Sequence, residues 1–247
     1  MSLHTLSPES RRQTTPELTL VLLHHAGGSS QSFGPLLPHL PATWQVLGVD
    51  LPGRLLDRED KGCRTVEEAV GRVHADLRLR LDGPFAVFGH SMGALIAYEL
   101  VRRMETEHHG PVWFGASGML APDAGRPTSA HVLQHPSGTF IPPASVSAVL
   151  ARRMLEILKA DLRLVDNYQY APGPLLRTAL SVFGGTADSL APAPQLDRWS
   201  EHAVHGAARH LWPGGHFFLF DHAASVSARL VGSCRAALAA KALALQI

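Results

Sequence analysis

The sequence predicts an α/β protein: a mainly parallel, doubly wound sheet with a helical insertion late in the chain. Three observations carry this expectation. Short apolar runs alternate with helical stretches along the 247 residues. The runs are nearly continuous in apolar residues, as expected of parallel strands covered on both faces. Between about 121 and 170 the alternation lapses, and prolines, histidines and one apolar helical stretch take its place.

Each element follows from its local pattern. Residues 1–17 are polar and aperiodic and are expected to be a flexible N-terminus ahead of a single domain, 18–247. The run 18–23 reads as a strand that ends in the small-residue loop His24-His25-Ala26-Gly27-Gly28-Ser29-Ser30. A helix is expected near 33–40, then a strand over 45–51 closed by Pro52-Gly53. Thr65 and Glu68 have capping-box spacing. Behind them Val66, Val70, Val73, Leu77 and Leu81 recur at steps of three and four, one face of a helix. Gly83-Pro84 ends that helix and opens the strand 85–88, which runs into Gly89-His90-Ser91-Met92-Gly93 and a helix from 94. A strand over 112–117 follows. In the insertion Pro142-Pro143 should open a helix through Val146, Val149, Leu150, Met154 and Ile157, a lid over the site. The alternation returns with a strand over 179–183, a helix near 196–202, a last strand over 208–212 and a C-terminal helix over 223–245.

Composition excludes several classes. A chain of this length buries roughly three quarters of its unfolded surface, so neither a disulfide nor a metal is needed to hold it. Cys63 and Cys234 form no framework and no metal-ligand spacing, and free thiols in a reducing cytoplasm are the expectation. A net charge of +1 offers no nucleic-acid footprint. No apolar run approaches the 18 residues a membrane span needs, and the polar N-terminus has no signal-peptide core. His24-His25 lacks the companions of a zinc site. Arg54, Arg58, Lys61 and Arg64 form a basic cluster that reads first as solvated surface and second as a contact for a phosphate-bearing partner.

Gly-x-Ser-x-Gly between a strand and a helix has a mechanical meaning: a sharp turn presents the serine hydroxyl while the glycines let strand and helix pass closely. A serine-bearing surface turn is the plainer alternative. Asp188 follows the strand that ends at Gly184-Gly185, and His216 follows the strand that ends at Gly214-Gly215. The order Ser, Asp, His is that of an α/β-hydrolase. His216 would take the proton from Ser91, and Asp188 would fix its tautomer. Asp188 could instead cap a helix turn, and Asp197 and Asp221 are rival acids. The backbone N–H groups of Met92 and Ala26 are the candidate oxyanion donors.

Taken together these segments resemble the type II thioesterases that accompany polyketide and nonribosomal peptide synthases. The matching segments are His25-Ala26-Gly27-Gly28-Ser29, Leu51-Pro52-Gly53-Arg54, Gly89-His90-Ser91-Met92-Gly93-Ala94, Leu158-Lys159-Ala160-Asp161 with Tyr168 and Tyr170, Gly184-Gly185-x-x-Asp188, and Gly214-Gly215-His216-Phe217-Phe218. The chain departs at His24, where the family commonly has proline, at Leu55-Leu56, where a glycine is more usual, and in a Pro- and His-rich stretch at 126–143. The resemblance implies editing hydrolysis of acyl thioesters on the 4'-phosphopantetheine arm of an acyl or peptidyl carrier protein. It implies no cofactor of the enzyme's own, substrate contacts from His25, Gly27, His90 and Phe217, and a cytoplasmic monomer that binds neither nucleic acid nor membrane. A carboxylesterase or acyltransferase with the same triad, and a non-catalytic binding protein on this scaffold, are the alternatives.

Overall fold

The computed structural model describes residues 2–7, 15–54, 62–125, 127–134 and 147–244. Among the described residues seven strands form one sheet: β1 Ser2–Thr5, β2 Leu18–Leu23, β3 Trp44–Asp50, β4 Phe85–His90, β5 Trp113–Ser117, β6 Ala179–Gly185 and β7 Ala207–Trp212. Their order is β1-β3-β2-β4-β5-β6-β7, and every pairing is parallel except β1 with β3. The order reverses at β2, which has β3 on one side and β4 on the other. Ligands in open parallel sheets bind beyond the carboxyl ends of strands at such a reversal. Here those ends carry the His24-His25 loop and Ser91.

The strands alternate between two cores. Val21, Leu23, Val87, Phe114 and Val182 face one side, where they pack with helices α1 (Val66–Arg78) and α2 (Met92–Thr106). Leu20, Leu22, Phe88, Trp113 and Phe183 face the other, with Phe33 and Leu36 and, from a long C-terminal helix, Val226, Leu230 and Cys234. That period of two, apolar on both faces, is why the strands read as continuous apolar runs. Thr65 caps α1 by accepting from Glu68 N–H at 3.2 Å, but the Glu68 carboxylate accepts from Arg64 N–H rather than closing the box on Thr65.

Several elements differ from the sequence expectation. Within the N-terminal stretch expected to be loose, Ser2–Thr5 form β1, an antiparallel edge strand registered Ser2 to Asp50 and Thr5 to Leu47. Ser30–His39 and Ala193–His202 are 3-10 rather than α-helical. Pro35 and Pro38 inside the first remove the N–H donors an α-helix would need. Between β5 and β6 lie α3 (Ser129–Gln134) and α4 (Ala148–Asp166). Ser147 caps α4 by accepting from Leu150 N–H. Pro142-Pro143 and Val146 lie outside the described residues. A short α5 (Phe218–Asp221) precedes α6 (Ala223–Ala244). Among the described residues no helix is long and apolar enough to cross a membrane, and Cys234 is a buried free thiol.

Candidate active site

Ser91 sits at the join of β4 and α2 with φ 55° and ψ −124°, a left-handed conformation a serine adopts only under constraint. The constraint is visible on both sides. Ser91 N–H donates to Ser117 O at 2.7 Å on the neighbouring strand, and Ser91 O accepts from Ala94 N–H at 2.8 Å in the first turn of α2. A Cβ on Gly89 would stand 2.2 Å from Gly93 O, and one on Gly93 would stand 2.1 Å from Leu23 O. Only glycine admits that approach of strand, turn and helix.

The loops that follow β6 and β7 converge on this turn. His216 Nε2 lies 2.9 Å from Ser91 Oγ, and its Nδ1 lies 2.8 Å from Asp188 Oδ2. The other oxygen of Asp188 accepts from Leu190 N–H at 2.9 Å and Ala191 N–H at 3.2 Å. Those bonds aim one carboxylate oxygen at the imidazole and hold the other in the loop. Ala187 N–H donates to Gly214 O, and Gly185 passes so close to the His216 loop that a Cβ there would meet Gly215 O at 2.3 Å. The glycine pairs therefore stitch the Asp188 loop to the His216 loop. Asp188 and His216 are both buried, while Ser91 is partly open. The rival acids lie elsewhere: Asp197 pairs with Arg209, and Asp221 sits in α5.

Ser91 and His216 open into an apolar cavity of about 60 Å³. Met92, Met119 and Leu190 line it together with Val132 of α3 and Leu158 and Leu162 of α4, so the insertion forms part of its wall. Ala26, Met92, His25 and Phe217 border the cavity. His90 and Gly27 do not. His90 is fully buried beneath the site, its Nδ1 3.0 Å from Ser117 Oγ and its ring 5.0 Å from that of His216. Gly27 lies under α4, where its N–H donates to Asp161 Oδ2 at 2.7 Å. Among the described residues no cluster of side chains could hold a metal ion.

Three buried histidines in this part of the fold are held neutral. Burial, reinforced by Arg54, pushes His24 well below its ordinary pKa; its Nδ1–H donates to His25 O at 2.8 Å. Burial lowers His25 to about 4 against the hydrogen bond to Ala26 O, with His216 nearby adding to the effect. Burial and the neighbouring His216 likewise drive His90 well down. Among the described residues, His216 thus has the uncharged rings of His25 and His90 near it and Asp188 as its paired carboxylate.

The expected basic cluster does not form a surface patch among the described residues. Arg54 is buried, donating to both oxygens of Asp161 at 2.7 and 3.0 Å. Arg64 is exposed beside Glu68, and Arg58 and Lys61 lie outside the described residues. The Arg54–Asp161 pair was hidden from sequence reasoning because 107 residues separate its members. The available signal was one carboxylate among Ile157, Leu158, Leu162 and Leu164 on the buried face of α4.

The thioesterase-domain family profile matches residues 18–235. A probable cadicidin biosynthesis thioesterase from Streptomyces griseus is 29% identical over 221 residues, 85% of this chain and 61% of that protein, so the chain spans less than two thirds of that relative. Among solved structures, the type II thioesterase BorB of the borrelidin biosynthetic cluster aligns with a TM-score of 0.81 at 28% identity, covering 94% of this chain and 97% of that one. The type II thioesterase YbtT of the yersiniabactin NRPS/PKS pathway aligns with a TM-score of 0.83 at 25% identity, covering 95% and 98%.

Proposed function

The chain belongs to the thioesterase family, and from that premise we propose that it hydrolyses acyl thioesters on the 4'-phosphopantetheine arm of acyl or peptidyl carrier proteins. The carriers belong to a polyketide or nonribosomal peptide synthase, and the reaction edits them by removing acyl groups that stall the line. The observation that carries the reading is the relay Ser91 Oγ–His216 Nε2–Asp188 at 2.9 and 2.8 Å on the wall of an apolar cavity.

Ser91 Oγ attacks the thioester carbonyl carbon as His216 Nε2 takes its proton. The carbonyl π pair moves onto oxygen, which the N–H groups of Met92 and Ala26 receive. Collapse reforms the carbonyl and breaks the C–S bond. The proton on His216 passes to the leaving sulfur, and the pantetheine thiol departs. The acyl chain remains as an ester on Ser91 with its tail in the cavity walled in part by α3 and α4. A water then gives a proton to His216, its oxygen attacks the ester, and collapse returns the proton to Ser91 Oγ and releases the carboxylic acid. Asp188 stabilises the imidazolium in both halves. The chain supplies no cofactor to this sequence; the pantetheine belongs to the substrate. The protein works as a cytoplasmic monomer, without nucleic acid or membrane.

The test compares hydrolysis of one acyl group presented as a carrier-bound thioester and as a matched oxygen ester. A preference for the thioester is expected. A decisive preference for the oxygen ester would instead mark a carboxylesterase, and acyl transfer to an added alcohol or amine in place of hydrolysis would mark an acyltransferase.

A further inference from the structure

We propose that Arg54 and Asp161 are positioning residues that make the oxyanion hole depend on the seating of helix α4. The inference rests on the reading of Ala26 N–H as an oxyanion donor.

One oxygen of Asp161 accepts from Gly27 N–H at 2.7 Å and from Arg54 Nη1 at 2.7 Å, while its other oxygen accepts from Arg54 Nη2 at 3.0 Å. Three separate parts of the chain meet there: the loop after β2, the loop after β3 and helix α4. The ion pair is out of water, Arg54 being 8% and Asp161 7% exposed, and Gly27 is half-buried beside it. Gly27 has φ +75° and is pressed under α4, where a Cβ would lie 3.1 Å from Leu158 Cβ. The peptide plane that carries Gly27 N–H follows directly on Ala26, a residue that borders the cavity, so the carboxylate fixes the plane next to the proposed oxyanion donor.

The two charges have different duties. The Asp161 carboxylate is the acceptor that pins Gly27, yet alone it would set a negative charge beside a site where negative charge must develop. Low dielectric makes that repulsion strong. The bidentate Arg54 guanidinium cancels it, in a fork geometry that a point charge matches only in part. Seating α4 therefore delivers the carboxylate that shapes the oxyanion loop, and lifting α4 removes it. Acyl-cavity closure and transition-state stabilisation become one event.

The test uses the full chain with Arg54→Met, Arg54→Lys and the double variant Arg54→Met/Asp161→Leu. It reads kcat and KM on an acyl-pantetheine thioester, the melting temperature, and the rate at which an alkyl fluorophosphonate labels Ser91. The phosphoryl oxygen of that probe occupies the oxyanion hole, so labelling senses the loop directly. Arg54→Met should lower kcat about 10²-fold with KM moved less than about threefold, and labelling should slow in step. Arg54→Lys should recover to within about tenfold of native. The double variant leaves no orphaned buried charge, so it should melt near the native temperature, yet its kcat and labelling should stay low because Gly27 N–H has lost its acceptor. Recovery of kcat together with melting temperature in the double variant would overturn the proposal, leaving the pair a purely structural one. So would native-like labelling in Arg54→Met. If Arg54→Met does not fold, the double variant decides alone. The substrate reading stays separable: a native chain that labels at Ser91 but cleaves no acyl-pantetheine thioester would refute that reading, while the labelling rates of the variants still test the clamp.

Discussion

Replacing Asp188 by asparagine isolates the orientation of His216 from everything else in the site. The Asp188 side chain makes three contacts: Oδ2 to His216 Nδ1 at 2.8 Å, and Oδ1 from Leu190 N–H and Ala191 N–H at 2.9 and 3.2 Å. The two backbone donors need an oxygen, so the asparagine carbonyl must stay on their side. Its NH2 then points at His216 Nδ1 and can only donate. Nδ1 must become the acceptor, which moves the ring proton to Nε2, 2.9 Å from Ser91 Oγ. The imidazole then offers the serine a proton instead of taking one. Because the loop bonds survive, the melting temperature should change little. Holding the base in the wrong tautomer should lower kcat by about 10⁴ at neutral pH, while leaving oxyanion stabilisation and binding in place. Steady-state hydrolysis of a short acyl-pantetheine thioester, with a thermal melt on the same sample, measures both. A loss below about tenfold with an unchanged melt would refute the argument that Asp188 sets the tautomer.

Further expectations follow from the packing and the buried imidazoles. Gly93→Ala would bring a Cβ to 2.1 Å from Leu23 O and 2.7 Å from His24 O, both main-chain atoms. It should cost about 1–3 kcal/mol of stability and should lower kcat by displacing Ser91. Gly34→Ala, with nothing within 4 Å, is the neutral control in the same melting assay. His25, near 4 when folded and near 6.5 unfolded, binds its proton more readily in the unfolded chain. Its contribution is present above pH 6.5 and should be lost as pH falls from there toward 4, about 3 kcal/mol in all. His24 and His90, also depressed by burial, add loss in the same direction. A denaturation midpoint that stays flat between pH 7 and pH 4.5 would show that these rings are protonated in the folded protein.

What the sequence made legible was whatever one segment decides for itself. The strand–turn–helix around Ser91 reads directly because its apolar run, its two glycines and its helix are contiguous. The glycine pairs before Asp188 and His216 mark tight loops for the same reason. β1 gave no signal: Ser2–Thr5 has one apolar residue buried at Leu3, and pairing with β3 makes it a strand. The 3-10 segments read as helices because their apolar spacing is nearly helical, while proline chemistry tightens the turn. The resemblance implies a substrate contact at His90, but β4 ends with that residue and pairs it with Ser117 of β5, whose Oγ lies 3.0 Å from the ring Nδ1. Arg54 read as part of a solvated basic run, and only the folded chain brings Asp161 to it.

The most direct measurement is intact-mass analysis of an acyl-carrier protein incubated with the native chain and with Ser91→Ala. The native chain should convert the acyl-carrier to its free-thiol form with release of the carboxylic acid, and Ser91→Ala should do so about 10⁴–10⁶-fold more slowly with an unchanged melt. An acyl-carrier left intact by native protein that labels with fluorophosphonate, or a Ser91→Ala rate within about tenfold of native, would contradict the account.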